Sequence, residues 1–103
     1  MIGIRYKSSR NIKDLSTQVK ALIKDIREQT YQTARSLTPV DTGFAKSQWR
    51  KRDQVKGFKV TNTTPYIPFL DEGSSKQAPN GITKPTVRKM AGYIRTKSRR
   101  LKR

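Results

Sequence analysis

Ile12, Leu15, Val19, Leu22, Ile23 and Ile26 recur at three- and four-residue steps, and Pro39 stands a short way beyond them. Apolar residues at that spacing form one face of an α-helix. Ala34 and Leu37 extend the stripe, while Gln29, Thr30 and Thr33 weaken it. Proline disfavours helical backbone at the residue before it, so the helix must stop near Leu37. Asn11, with Asp14 three positions on, comes close to a capping box and marks the start. The pattern predicts a helix of about 25 residues, the longest element of the chain. A coiled-coil seam is the rival explanation, but only about three weak heptads are present and core packing fits better. A chain of 103 residues that is 32% hydrophobic and 30% charged has room for one domain with a thin core. Such a core leans on a partner for part of its stability.

The remaining elements follow from period and punctuation. Ile2, Ile4 and Tyr6 alternate with Gly3, Arg5 and Lys7, as in a short edge strand with basic residues facing out. Gly43 to Lys51 reads as a turn or a single helical turn entering a strand, with Trp49 inward and the cluster Arg50-Lys51-Arg52 at its far end. Gly57 opens another strand, in which Phe58, Val60 and Asn62 share one face and Lys59 and Thr61 the other. The connection from Asp53 to Gly57 joins the two as a hairpin. Pro65 and Pro68 remove ladder donors, so Pro65–Leu70 is a short helix or turn that drops Tyr66, Phe69 and Leu70 onto the sheet. Residues 73–82 form a loop rich in turn formers, longer than most connections. Thr83 or Lys84 caps a last helix with Pro85 in its first turn, striped by Val87, Met90 and Ile94 and flanked by Tyr93. The fold expected is α+β: a small antiparallel sheet of about three strands packed against a long N-terminal helix, with a basic C-terminal helix. Residues 1–103 form a single domain, of which 95–103 is a basic tail expected to fray in isolation.

Little in the chain can do chemistry. Histidine is absent, and with it the commonest general base and metal ligand at neutral pH. Cysteine is absent too, which removes disulfides and thiolate metal sites and suits a reducing compartment. A nuclease would need Asp71 and Glu72 to hold magnesium together with Asp41. Adjacent carboxylates on a helical turn diverge by about 100°, and the surrounding arginines would neutralise them first. Asp41 reads more simply as a turn or cap residue, and Asp71 as one half of an internal ion pair. No catalytic residue, cofactor or metal is expected. No apolar stretch approaches the roughly 20 residues of a membrane helix, and Met1–Arg5 lacks a signal-peptide apolar region. The expectation is a soluble cytosolic product, without a membrane partner.

The charge is large and uneven. There are 24 Lys and Arg against 7 Asp and Glu, a net +17, and every acid lies before Gly73. A basic segment that cannot neutralise itself seeks a polyanion or an acidic protein surface. Arg88, Lys89, Arg95, Lys97, Arg99, Arg100, Lys102 and Arg103 are the candidate contacts to DNA or to an acidic partner. No zinc finger, helix-turn-helix or RNA-stacking pattern accompanies them, so any nucleic-acid contact would be non-specific. A free, non-specific nucleic-acid-binding protein is therefore one reading of the whole chain.

Two shaped runs point elsewhere. Pro39-Val40-Asp41-Thr42-Gly43 followed by Trp49 resembles the first signature of the tail-completion, or neck, family of tailed bacteriophages, the minor tail components of head-tail joining. Asn62 with Pro65-Tyr66, then Leu70-Asp71-Glu72-Gly73, resembles its second signature, and Ser75-Lys76-Gln77-Ala78-Pro79-Asn80-Gly81-Ile82 resembles a loop of one branch. Asp71 stands where the family often has glutamate, and Ser74 where that branch often has a bulky aromatic. The resemblance implies a structural virion protein, not an enzyme, assembled as a ring around the channel through which the genome leaves. Its implied partners are copies of itself, the portal or connector, the tail proteins, and packaged DNA through non-specific contact. On this resemblance Asp41, Gly43, Trp49, Tyr66, Asp71, Gly73, Gln77, Pro79 and Gly81 shape the loops or meet neighbouring subunits.

Overall fold

A computed structural model describes residues 2–39, 44–65, 67–73 and 79–101, with the side chains of Phe69, Arg100 and Leu101 left out of the description. Three strands, β1 (Ile2–Lys7), β2 (Trp49–Gln54) and β3 (Gly57–Asn62), form an antiparallel sheet in the order β1-β3-β2. Among the described residues four α-helices complete it: α1 (Thr17–Leu37), α2 (Phe44–Ser47), α3 (Ile67–Asp71) and α4 (Thr83–Leu101). The fold is α+β, with the long α1 and the basic α4 packed together; α1 also lies on β2 and β3, and α4 touches β1. None of the helices, among the described residues, is long and apolar enough to cross a membrane.

α1 is shorter than its stripe suggested. Ile12–Asp14 form a separate 3-10 turn, and Asn11 makes no side-chain cap bond. The cap is Ser16, whose hydroxyl accepts the Val19 N–H at 3.2 Å. Leu15, extended at φ −89°, ψ 160°, separates turn from helix, which then runs for 21 residues. At the other end Thr38 is extended (ψ 128°), as a residue before proline must be. Thr30 and Thr33, which weaken the stripe on paper, are buried with Ile23, Ile26 and Ala34. Thr30 turns its hydroxyl back onto the Ile26 carbonyl at 2.7 Å, so its methyl can face the core without an orphaned polar group.

The sheet has a sharply unequal composition. Phe58, Val60 and Asn62 of the central β3 are buried, and Tyr6 of β1 stacks on Phe58, its register partner, at 5.6 Å between ring centres. β2 buries only Trp49; the rest of Trp-Arg-Lys-Arg-Asp-Gln is exposed and is held by the hairpin through Val55 and Lys56. Ile4, Ile23, Ile26, Ala34, Ala45, Trp49, Phe58, Val60, Ile67 and Ile82 make one continuous core. α4 continues the basic segment as helix through Leu101, in keeping with the good helix propensity of Arg, Lys and Leu.

Candidate interaction surfaces

The first sequence run is clamped at its two ends. Trp49, 1% exposed, donates its indole N–H to Thr38 Oγ1 at 2.7 Å, and Thr38 donates in turn to the Ala34 carbonyl at 2.7 Å. The end of α1 and the start of β2 are thereby fixed to each other. Trp49 is all core and shapes the segment it closes; it offers no surface to a neighbour. Asp41 and Gly43, between the two stems, lie outside the described residues. Asn62, fully buried, donates to the Ala45 carbonyl at 2.8 Å and accepts the Thr64 N–H at 3.0 Å. One amide thus holds α2 against the end of β3 and sets the turn into α3.

Asp71 organises the second run. Its Oδ1 accepts the N–H groups of Ile82 at 3.0 Å and Thr83 at 2.7 Å, and its Oδ2 accepts the Thr83 hydroxyl at 2.9 Å. These are unpaired donors of the α4 N-terminus, where a carboxylate is favoured by both hydrogen bonding and the helix dipole. Asp71 is therefore the cap of α4, supplied from the end of α3 across a loop, and among the described residues it is not half of an ion pair. The approach is close: a Cβ on Gly81 would stand 2.2 Å from the Asp71 carbonyl oxygen, and Gly81 has φ +80°. Gly73, just past α3, also has positive φ, at 89°. Both positions need backbone that side chains rarely adopt. Pro79 is exposed on the loop, and Tyr66 and Gln77 lie outside the described residues.

On α4, Lys84, Arg88, Arg95 and Arg99 follow the helical period along one stripe opposite the buried Thr86 and Met90. Lys89 is exposed beside that stripe, and Lys97 lies 5.4 Å over the Tyr93 ring. The Arg100 side chain, Lys102 and Arg103 lie outside the described residues. The sheet has open edges at β1 and β2 among the described residues. Beside β1 an apolar hollow of about 160 Å³ is lined by Ile4, Tyr6, Phe58, Val87, Met90 and Ile94.

The acids are largely engaged within the fold. Arg27 of α1 donates to both Asp53 oxygens at 2.7 and 2.8 Å and to Glu28 at 3.0 Å, while Lys51 of β2 reaches Glu28 at 2.6 Å. The hydrogen bond from Lys51, with that from Arg27, holds the Glu28 carboxyl below its ordinary range, and Asp53 raises the Arg27 guanidinium above its own. Asp25 accepts the Tyr93 hydroxyl and ties α1 to α4. This network is what docks the polar β2, and sequence inspection missed it, since Glu28 and Lys51 lie far apart in the chain. Among the described residues no three His, Cys, Asp or Glu side chains gather as metal ligands. No family model matches the sequence, and no curated protein or solved structure matches it.

Proposed function

We propose that this chain is a structural virion protein of a tailed bacteriophage, a ring subunit at the head-tail junction around the DNA exit channel. The ordered pair of neck-like runs carries the reading, and the convergence of their residues on scaffold positions supports it. Trp49 clamps the stems of the first run, Asn62 sets the turn into the second, and Asp71 with Gly81 fixes the second against α4. Residues kept for backbone shape rather than reactivity suit a subunit whose work is assembly. An open strand edge at β1, with an apolar hollow beside it, is a template for a neighbouring chain, and ring symmetry would repeat that contact around an axis.

The observable consequence lies in particles. Virions made without the protein should appear by electron microscopy as filled heads and separate tails, and Gly73→Val or Gly81→Val should give the same picture. Joined, infectious particles from any of these would remove the reading. The excess of 24 cations over 7 acids favours a second reading, a free protein that coats nucleic acid through charge. Salt-sensitive DNA binding by the purified chain, together with normal virions in its absence, would select it.

A further inference from the structure

The outer face of the sheet carries a row of cations that, among the described residues, no carboxylate neutralises, although Arg50 donates to the Ser47 and Trp49 carbonyls at 3.0 Å. Register places Arg5 of β1 opposite Lys59 of β3, and Lys59 opposite Arg52 of β2. On the same face Arg50 lies opposite Thr61 one step along, and Lys7 opposite Gly57 one step the other way. Side chains alternate along a strand, so these residues belong to the face opposite Ile4, Phe58 and Val60, with Arg5 at the β1 edge also bordering the apolar hollow. Arg5, Lys7, Arg50 and Arg52 are exposed and Lys59 is half-buried between them. The long arm of Lys59 lies across the neighbouring strand, where a Cβ on Gly3 would come 3.1 Å from its Cε. Asp53, the acid of these strands, is on the opposite face and already accepts two bonds from Arg27.

Like charges directly opposite one another destabilise a sheet, so a cationic row on three strands is a penalty that a bound polyanion would remove. The geometry points to the phosphodiester backbone of duplex DNA as the ligand of this face, bound without regard to sequence. Strands about 4.8 Å apart carry the row some 10 Å across the sheet, and alternate residues repeat the charges at about 7 Å along it. That density faces one phosphate per about 1.7 Å of duplex axis. An unpaired strand would need aromatic platforms, and Tyr6 and Phe58 stack on the other face while Trp49 is buried. A protein partner would need an apolar or aromatic anchor, and this face presents only Gly, Thr, Gln, Lys and Arg. The assignment rests on the nucleic-acid reading, whose surface it names, and stands apart from the virion reading, because it concerns a property of the isolated chain.

The test is fluorescence anisotropy of a labelled random-sequence duplex titrated with the full chain over a salt series. Each phosphate neutralised adds about 0.9 to the slope of log affinity against log salt, so Arg5→Gln/Lys59→Gln/Arg52→Gln should flatten it by up to about 2.7. Between about 50 and 200 mM salt the wild type then loses roughly 40-fold more affinity than this variant. Arg88→Gln/Arg95→Gln/Arg99→Gln, with the same change in net charge on α4, should move the slope by less than about one unit. If the triple sheet variant does not fold, Arg5→Gln/Arg52→Gln at the exposed edges should lower the slope by up to about 1.8. A sheet variant with the wild-type slope would overturn the assignment, as would a helix variant that flattens it as much. Tighter binding of the matching single strand, or of a polyglutamate peptide, would overturn it as well.

Discussion

On the inner face of the sheet Ile4, Phe58 and Val60 lie in the core, and the charged groups that reach that face are bonded, Asp53 to Arg27 and Lys51 to Glu28. On the outer face, one residue away along the same strands, Arg5, Lys59 and Arg52 stand in a row with no carboxylate from their own sheet. With 7 acids against 24 bases, the chain cannot neutralise both faces. It places Glu28, Asp53, Asp25 and Asp71 where they join elements of the fold. Charge in this thin-cored protein thus divides by role: acids are kept for internal joints, and cations that are not needed there collect on a face open to a polyanion.

The contrast makes substitutions on the two sides behave differently. Trp49→Ala should have the largest effect, about 3–5 kcal/mol lost in urea denaturation, because it empties the core and frees Thr38 from β2. Asp71→Ala should cost about 1–2 kcal/mol as a lost helix cap, visible as faster amide exchange in the first turn of α4, at Ile82 and Thr83. Acid should act through Glu28, whose carboxyl is held low in the folded chain mainly by Lys51. Its contribution is present above the ordinary glutamate range, about 4.3, and is lost as pH falls through the lower folded value. As a largely exposed pair it should contribute under about 1 kcal/mol, and Glu28→Gln should flatten that part of the stability–pH curve. Smallest of all, Arg52→Gln on the outer face should change stability by no more than about 0.5 kcal/mol, upward, by relieving repulsion across the row.

Sequence pattern made some of this legible and not the rest, for reasons visible in particular residues. β1 and β3 alternate cleanly, and the hairpin turn lies between two runs, so three strands and a long helix could be read directly. The start of α1 could not, because Asn11 and Asp14 imitate a cap while Ser16 supplies it. Thr30 and Thr33 look polar until the back-bond of Thr30 is seen. The second run was singled out, but the role of Asp71 was not, since its partners lie 11 and 12 residues downstream. The cationic row was hidden for a similar reason. It exists only through the pairing of β1 with β3, which no local window contains.

Mass-spectrometric mapping of lysine reactivity in the full chain, with and without duplex DNA, tests the central division between the faces most directly. The account predicts that DNA slows modification of Lys7 and Lys59 on the outer face, while Lys20 and Lys24 of α1 and Lys89 and Lys97 of α4 react at unchanged rates. Protection confined to the α4 lysines, or full reactivity of Lys7 and Lys59 in saturating duplex, would contradict it.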